Sequence, residues 1–292
     1  MSGRFSVSNL ARLLLPPIIF KVSRYWGKVE WEYVADQWPK NDQRSFGWDD
    51  SSVVKNMRDN WGAYKHALES TAPLVFWPWF TAAPDISAHN SLMTWGYVLA
   101  RASYGKTRLS ALDWGGALGN YAAAGKAILP EVRLEFTVKE RPALCVAGRE
   151  LLPDVSFTSS DDDCFSRRYD VVMASGSLQY AEDWRSMTNR LADAAQHWLF
   201  VSNLPVVRKP RSFVVVQRPQ RHGLDADYIS WVLNYGEFLE QVKSSGLILE
   251  REFLFTGGFY CRNAPESPEH VGFLFRRPPL QRIAEQIPAS TS

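Results

Sequence analysis

The sequence predicts an α/β protein: a doubly wound, mostly parallel sheet with an antiparallel strand pair near the C-terminus, preceded by an aromatic-rich accessory segment. Three observations predict it. From residue 91 onward short apolar β-like runs alternate with stretches of helical periodicity, the signature of strands joined by crossover helices. The first of those strands, Leu109 to Asp113, runs into a glycine-rich turn and then a helical stretch, the opening of a β-α-β unit. The next strand is closed by an acidic residue, Glu140, at the edge where such sheets bind ligands.

In chain order, the part before residue 90 is rich in Trp and Pro with weak periodicity and reads as an accessory or lid segment, residues 1–90. Within it Trp31 to Ala35 is expected as a short helix and Ser52 to Ser70 as a longer one. Pro73 to Phe80 (PLVFWPWF) reads as core, interface or pocket wall. A sheet domain then spans residues 91–277. Its predicted helices are Leu92 to Ala102, Tyr121 to Leu129, Arg141 to Glu150 and Trp184 to Gln196. Its predicted strands after the first are Leu134 to Lys139, Val155 to Thr158, Tyr169 to Ala174 and Trp198 to Ser202. After Asn203 come a short β-like run, Phe213 to Gln217, an amphipathic helix, Tyr235 to Ser245, ended by Gly246, and the strands Leu247 to Phe255 and Val271 to Phe275. Residues 278–292, with Pro278-Pro279 and a Ser/Thr end, read as a flexible tail.

A chain of 292 residues supports one large catalytic domain with an appendage. Its charges nearly cancel at +2, so the bulk composition asks for no nucleic acid. Cys145, Cys164 and Cys261 are odd in number and far apart, and the five histidines form no ligand pair, so neither a disulfide framework nor a metal site is expected and a cytoplasmic location is. The apolar run Leu10 to Phe20 is about half the ~20 residues a membrane span needs, and Pro16-Pro17 interrupts it. The basic residues around it, between positions 4 and 28, leave peripheral membrane contact open beside plain packing on the domain.

The chemistry concentrates in Asp113-Trp114-Gly115-Gly116-Ala117-Leu118-Gly119. Glycines let the backbone turn sharply against a ligand, and the helix start that follows presents unpaired N–H groups suited to a carboxylate. Asp113 at the strand end suits an ammonium group. Glu140, 27 positions later, stands where a Rossmann-like sheet places the carboxylate that accepts both ribose hydroxyls. Ser160 and Asp161 end the third strand, where an adenine ring or a solvated acidic turn fits equally. Ser175 to Tyr180 floor the carboxyl edge after the fourth strand.

These residues resemble class I S-adenosylmethionine-dependent methyltransferases, and within them the methyltransferases that accompany surface-polysaccharide biosynthesis clusters. The resemblance rests on LDWGGALG, on VKE ending in Glu140, on FSRRYDVVMASGSLQYAEDW, on ISWVLNYGEFLEQVKSSGLILERE and on the front segment WEYVA with FGWDD, and covers most of the chain. It implies S-adenosyl-L-methionine as cofactor. Asp113, Gly115, Gly116 and Gly119 would line its methionine end, Glu140 its ribose, Ser160 and Asp161 its adenine, and Ser177 and Leu178 through Tyr180 the junction with a small-molecule or glycan-precursor acceptor. One departure is Ala117, which stands where the usual turn has its middle glycine.

A general base is optional in such chemistry. Tyr180 and His89 are the leading candidates to touch the acceptor, with Asp183 and His197 behind them, and His197 reads chiefly as structural. Trp114 and Tyr180 also offer ring faces to a sulfonium. Two other classes remain in view. A nicotinamide-dependent oxidoreductase would use Glu140 in the same way, but its Gly-x-Gly-x-x-Gly spacing meets Ala117 and Asn120. A non-catalytic scaffold binding a membrane or glycan-assembly partner would keep the fold without the reaction.

Overall fold

The structure is a computed structural model that describes residues 29–40, 51–71, 73–74, 86–219, 227–255 and 257–279. The basic and apolar stretch 4–28, most of the Pro73 to Phe80 cluster and all but two residues of the tail expected over 278–292 lie outside them.

The parallel centre of the sheet is built from β2 (Arg108–Trp114), β3 (Arg133–Lys139), β4 (Ser156–Thr158), β5 (Tyr169–Ser175) and β6 (Ala195–Val207). They lie in the order β4-β3-β2-β5-β6, all parallel. The chain lays strands outward from β2 on one side, then crosses back and builds on the other, so a crevice opens at the carboxyl ends of β2 and β5. β10 (Glu269–Arg276) runs antiparallel to β6, and β9 (Ile248–Leu254) antiparallel to β10, the expected terminal pair.

Near-continuous apolar runs make these strands because both faces of the sheet are covered. On one face α2 (Ile86–Ser103) and α3 (Asn120–Ile128) pack Leu92, Trp95, Leu99 and Tyr121 onto Phe136 and Phe200. On the other, α6 (Trp184–Ala194) and α7 (Tyr235–Ser244) bury Trp184, Leu191, Phe238 and Val242. Trp95 is fully buried, its indole nitrogen donates to Tyr121 O at 3.1 Å, and truncating it to Ala would cost about 3–5 kcal/mol. The remaining helices are α4 (Pro142–Leu151) and α5 (Asp161–Phe165).

Two parts of the front half join the domain directly. In α1 (Ser51–Glu69) the buried residues Val53, Met57, Trp61 and Tyr64 recur every three or four positions, and this stripe seats on Ala117, Leu118, Leu144 and Ala147. Trp31 to Ala35, expected as a helix, is instead a strand, β1 (Trp31–Ala35), antiparallel to β7 (Phe213–Gln217). A five-residue run has little helical stability of its own without a side-chain cap of the kind Ser160 gives α5. Pairing with a strand far along the chain decides the matter, and it buries Trp31 against Phe259, with ring centroids 5.0 Å apart.

β7 pairs with β8 (Tyr228–Asn234), a strand the periodicity missed, and β8 joins the end of β6 in parallel at Val206 and Val207. Ser230 interrupts its apolar run yet is fully buried, so neither alternation nor an unbroken apolar stretch marks it. The β1-β7-β8 group therefore extends the sheet from the carboxyl end of β6. Among the described residues no helix is long and apolar enough to cross a membrane.

Candidate active site

The turn after β2 is shaped by three left-handed residues within five, Gly115 (φ 77°), Ala117 (φ 50°) and Gly119 (φ 85°). Glycine is required at its start for space as well as conformation. A Cβ on residue 115 would stand 2.4 Å from the Cβ of Ser177, and one on residue 116 would stand 2.5 Å from the Asp113 carboxyl and 2.9 Å from Val138. Gly119 caps α3 without a side-chain hydrogen bond, so the first-turn N–H groups of that helix keep their donor capacity. Ala117 fills the middle position in left-handed form all the same. Its N–H donates to Glu140 Oε2 at 3.0 Å and its methyl belongs to the surface on which α1 sits.

Asp113 is 1 % exposed, and neither carboxylate oxygen has a hydrogen-bond partner. Burial, reinforced by the negative charge of Glu140, pushes its carboxyl up to about 8. Nearby, Asn120 is buried with both its amide nitrogen and its amide oxygen unpartnered. Glu140 follows β3 and accepts from Ala117 N and, through Oε1, from Arg141 N at 2.8 Å. Burial raises its carboxyl against the pull of these two donors. A carboxylate offers about four acceptor positions, so Glu140 keeps capacity for two hydroxyls.

At the end of β4, Ser160 Oγ caps α5 by accepting from Asp163 N at 3.1 Å. Asp161 accepts from the Trp114 indole at 3.1 Å, lies 3.1 Å from Lys139 Nζ, and has Arg190 3.8 Å from its second oxygen. These contacts fix Trp114 beside the turn, with Lys139 5.3 Å over its ring. The acidic run Asp161 to Asp163 is thus the first turn of a short capped helix.

Beyond β5, Ser177 is buried and donates to Trp114 O at 2.7 Å, joining the two strand ends, and Leu178 is fully buried beneath it. Tyr180 ends the 3₁₀ turn Leu178–Tyr180; its hydroxyl donates to Gln217 Oε1 at 2.8 Å and its ring meets Tyr228 edge-on at 6.2 Å. Burial holds its phenol far above the ordinary tyrosine range. His89 lies in the first turns of α2, its Nδ1 buried without a partner. Asp183 is spent as the cap of α6, accepting from Ser186 N. His197 is at the opposite, amino edge of the sheet, 3.8 Å from Asp170.

A partly buried hydroxyl network escaped the sequence reading. Ser175 Oγ lies 2.7 Å from the Tyr121 hydroxyl, 2.8 Å from Ser202 Oγ and 3.2 Å from Asn203 Nδ2, and Asn203 takes a left-handed backbone (φ 51°) to reach it. Only a bulge opposite β10 places Asn203 there, which no local pattern announces. Among the described residues no group of three His, Cys, Asp or Glu side chains could hold a metal ion.

Neither a protein-family model nor a curated protein matches the chain. Among solved structures, the [4+2]-cyclase SpnF superposes with a TM-score of 0.52 at 12 % identity, covering 83 % of this chain and 99 % of its own. The 1,6-didemethyltoxoflavin-N1-methyltransferase of Burkholderia thailandensis, solved with bound 1,6-didemethyltoxoflavin and S-adenosylhomocysteine, gives 0.47 at 11 % identity, covering 85 % and 95 %. An S-adenosylmethionine-dependent methyltransferase from Clostridium acetobutylicum ATCC 824 gives 0.44 at 8 % identity, covering 64 % and 92 %. The likeness to the cyclase establishes the Rossmann-like α/β fold.

Proposed function

We propose that this protein is an S-adenosylmethionine-dependent methyltransferase acting on a small-molecule or glycan-type acceptor. One observation carries the reading: Asp113, buried at the switch point of the sheet, has two carboxylate oxygens with nothing to bind, and a buried acid without a partner is expensive unless a cation completes it. The residues fit the cofactor. Asp113 would take its ammonium, the N–H groups at the start of α3 its carboxylate, and the spare acceptor positions of Glu140 its ribose hydroxyls. Gly115, Gly116 and Gly119 let the backbone come close. Ser160 and Asp161, with Trp114, border the adenine end, and Ser177 and Leu178 the junction with the acceptor.

The cofactor, when bound, supplies a methyl carbon already activated by its sulfonium. The chain's own contribution is then alignment of an in-line displacement and exclusion of water, effects worth up to roughly 7–11 kcal/mol. Of the two candidate bases, Tyr180 has its hydroxyl committed to Gln217, whereas His89 still has a ring nitrogen to offer. The surface-polysaccharide setting, a cytoplasmic location, the division at residue 90 and peripheral membrane contact through residues 4–28 belong to the same proposal and rest on sequence.

The fold alone does not dictate methyl transfer, since the [4+2]-cyclase shares it. Titration with S-adenosylhomocysteine by calorimetry, beside Asp113→Ala and Glu140→Ala, is the test. Micromolar affinity lost in both variants is expected. No binding to the intact protein would overturn the reading and put the non-catalytic scaffold in its place.

A further inference from the structure

β6 breaks its own burial pattern at one point. From Leu199 to Val207 every residue is buried except Asn203, which is partly exposed and has a left-handed backbone (φ 51°). Asn203 falls in the bulge opposite β10, where the register skips between Val271 and Phe273. A bulge of this kind re-aims a side chain. The new direction is toward the end of β5, since a Cβ on Gly176 would stand 3.7 Å from the Cβ of Asn203. Ser175 and Gly176 are partly exposed as well, after four buried residues of β5. The floor of the crevice therefore opens at Ser175, Gly176 and Asn203, directly before Ser177.

The amide of Asn203 is also held in one orientation. Ser91, on α2, donates its hydroxyl proton to Ser87 O at 2.8 Å, so toward Asn203 its oxygen can only accept, and it does so from Nδ2 at 3.3 Å. Ser175 Oγ accepts from the same nitrogen at 3.2 Å and from Ser202 Oγ at 2.8 Å. Those two bonds fill its acceptor positions and leave its own proton for the Tyr121 hydroxyl, 2.7 Å away. Nδ2 is thus engaged from two elements, whereas Oδ1 has no hydrogen-bond partner among the described residues.

We propose that Asn203 is a specificity-determining residue for the acceptor: its amide oxygen, held toward the crevice, takes a hydrogen bond from an O–H or N–H of the molecule to be methylated. The inference rests on the methyltransferase reading and deepens it with a substrate class, an alcohol or amine in preference to a carboxylate. A donor on the ligand completes the Oδ1 that the fold leaves unpaired. A carboxylate sets a second acceptor against an oxygen that cannot be exchanged for the NH₂, and so binds less well. Ser91 and Ser175 are then positioning residues, which act on the acceptor through the orientation of the amide.

The test uses the full chain saturated with S-adenosylhomocysteine and two matched sets of probes, glucose, glucosamine and glucuronate, and benzyl alcohol, benzylamine and benzoate, read by ligand-observed NMR. In at least one set the alcohol or amine is expected to bind roughly tenfold or more tightly than its carboxylate counterpart. Asn203→Gly keeps the left-handed backbone while removing the amide, and should erase that preference. Ser91→Ala removes one of the two acceptors that hold the NH₂, and should reduce the preference by letting the amide turn. Both variants should melt cooperatively and bind S-adenosylhomocysteine within about threefold of wild type. Carboxylates binding as well as donors, no donor-bearing probe binding at all, or an unchanged preference in either variant would overturn the proposal while leaving the cofactor reading standing. A folded Asn203→Gly that loses S-adenosylhomocysteine would also overturn it, by placing the residue on the cofactor. Absence of S-adenosylhomocysteine binding to the wild type would overturn both.

Discussion

Asp113 gives the site a pH dependence that can be worked from the structure. Its carboxyl is held at about 8 in the ligand-free fold, against 3.8 in an unfolded chain. A ligand whose ammonium pairs with it needs the ionised form, and two pH units below that value only about one carboxyl in a hundred is ionised. Affinity for S-adenosylhomocysteine should therefore rise close to tenfold per unit from pH 6, flattening near pH 8, a total of up to about a hundredfold or ~2.7 kcal/mol at 1.36 kcal/mol per unit. Binding at pH 6.5 should release close to one proton, measurable by repeating the calorimetry in buffers of different ionisation enthalpy. Asp113→Asn should bind weakly with neither slope nor proton release. The free protein slopes the other way. Because the folded value lies above the unfolded one, the fold keeps the proton longer, and stability falls as pH rises from about 4 to about 8 relative to Asp113→Asn. A wild-type affinity flat between pH 6 and 8, or an Asn variant with the same profile, would refute the argument that this acid waits for a cation.

Other consequences are open to direct measurement. Gly116→Ala puts a methyl 2.5 Å from the Asp113 carboxyl and 2.9 Å from Val138, so it should cost about 1–3 kcal/mol in urea unfolding and weaken S-adenosylhomocysteine binding as well. Tyr64→Phe removes the hydroxyl that donates to Asn120 O at 2.9 Å; a loss of about 1–3 kcal/mol is expected, and an unchanged midpoint would mean that α1 is not anchored to the turn. His270 stacks on Phe259 at 4.6 Å, and burial lowers its imidazole to about 4. The unfolded chain takes up that proton first, so stability is lost as pH falls from about 6.5 to about 4, and His270→Phe should lessen that loss.

Much of the sheet was legible because its strands carry their own punctuation. Asp113 to Gly119 is a turn that only glycine-rich sequence can make, and Glu140 closes the next strand at the expected interval. The structure brings Asp113, Glu140 and the glycines together at one edge and places Ser177 against Gly115. What stayed hidden depends on long-range contacts. Trp31 to Ala35 becomes a strand only because β7 is there to pair with it, and β8 hides behind buried Ser230. The condition of Tyr180 was equally unreadable, since whether a phenol is available or committed depends on Gln217, 37 residues away.

The pairing of β1 with β7 also bears on how the molecule is made. Trp31 leaves the ribosome 186 residues before Gln217, the residue it will face. At 5–20 residues per second the nascent chain waits on the order of ten seconds or longer with Trp31 and Tyr33 lacking their eventual partners. Closing so large a loop is slow, and this edge should be among the last parts of the fold to set. The polar chain from Glu30 through Gln217 to Tyr180 crosses the same seam, so the polarity of the Gln217 amide is fixed only once the earliest strand has found one of the later ones.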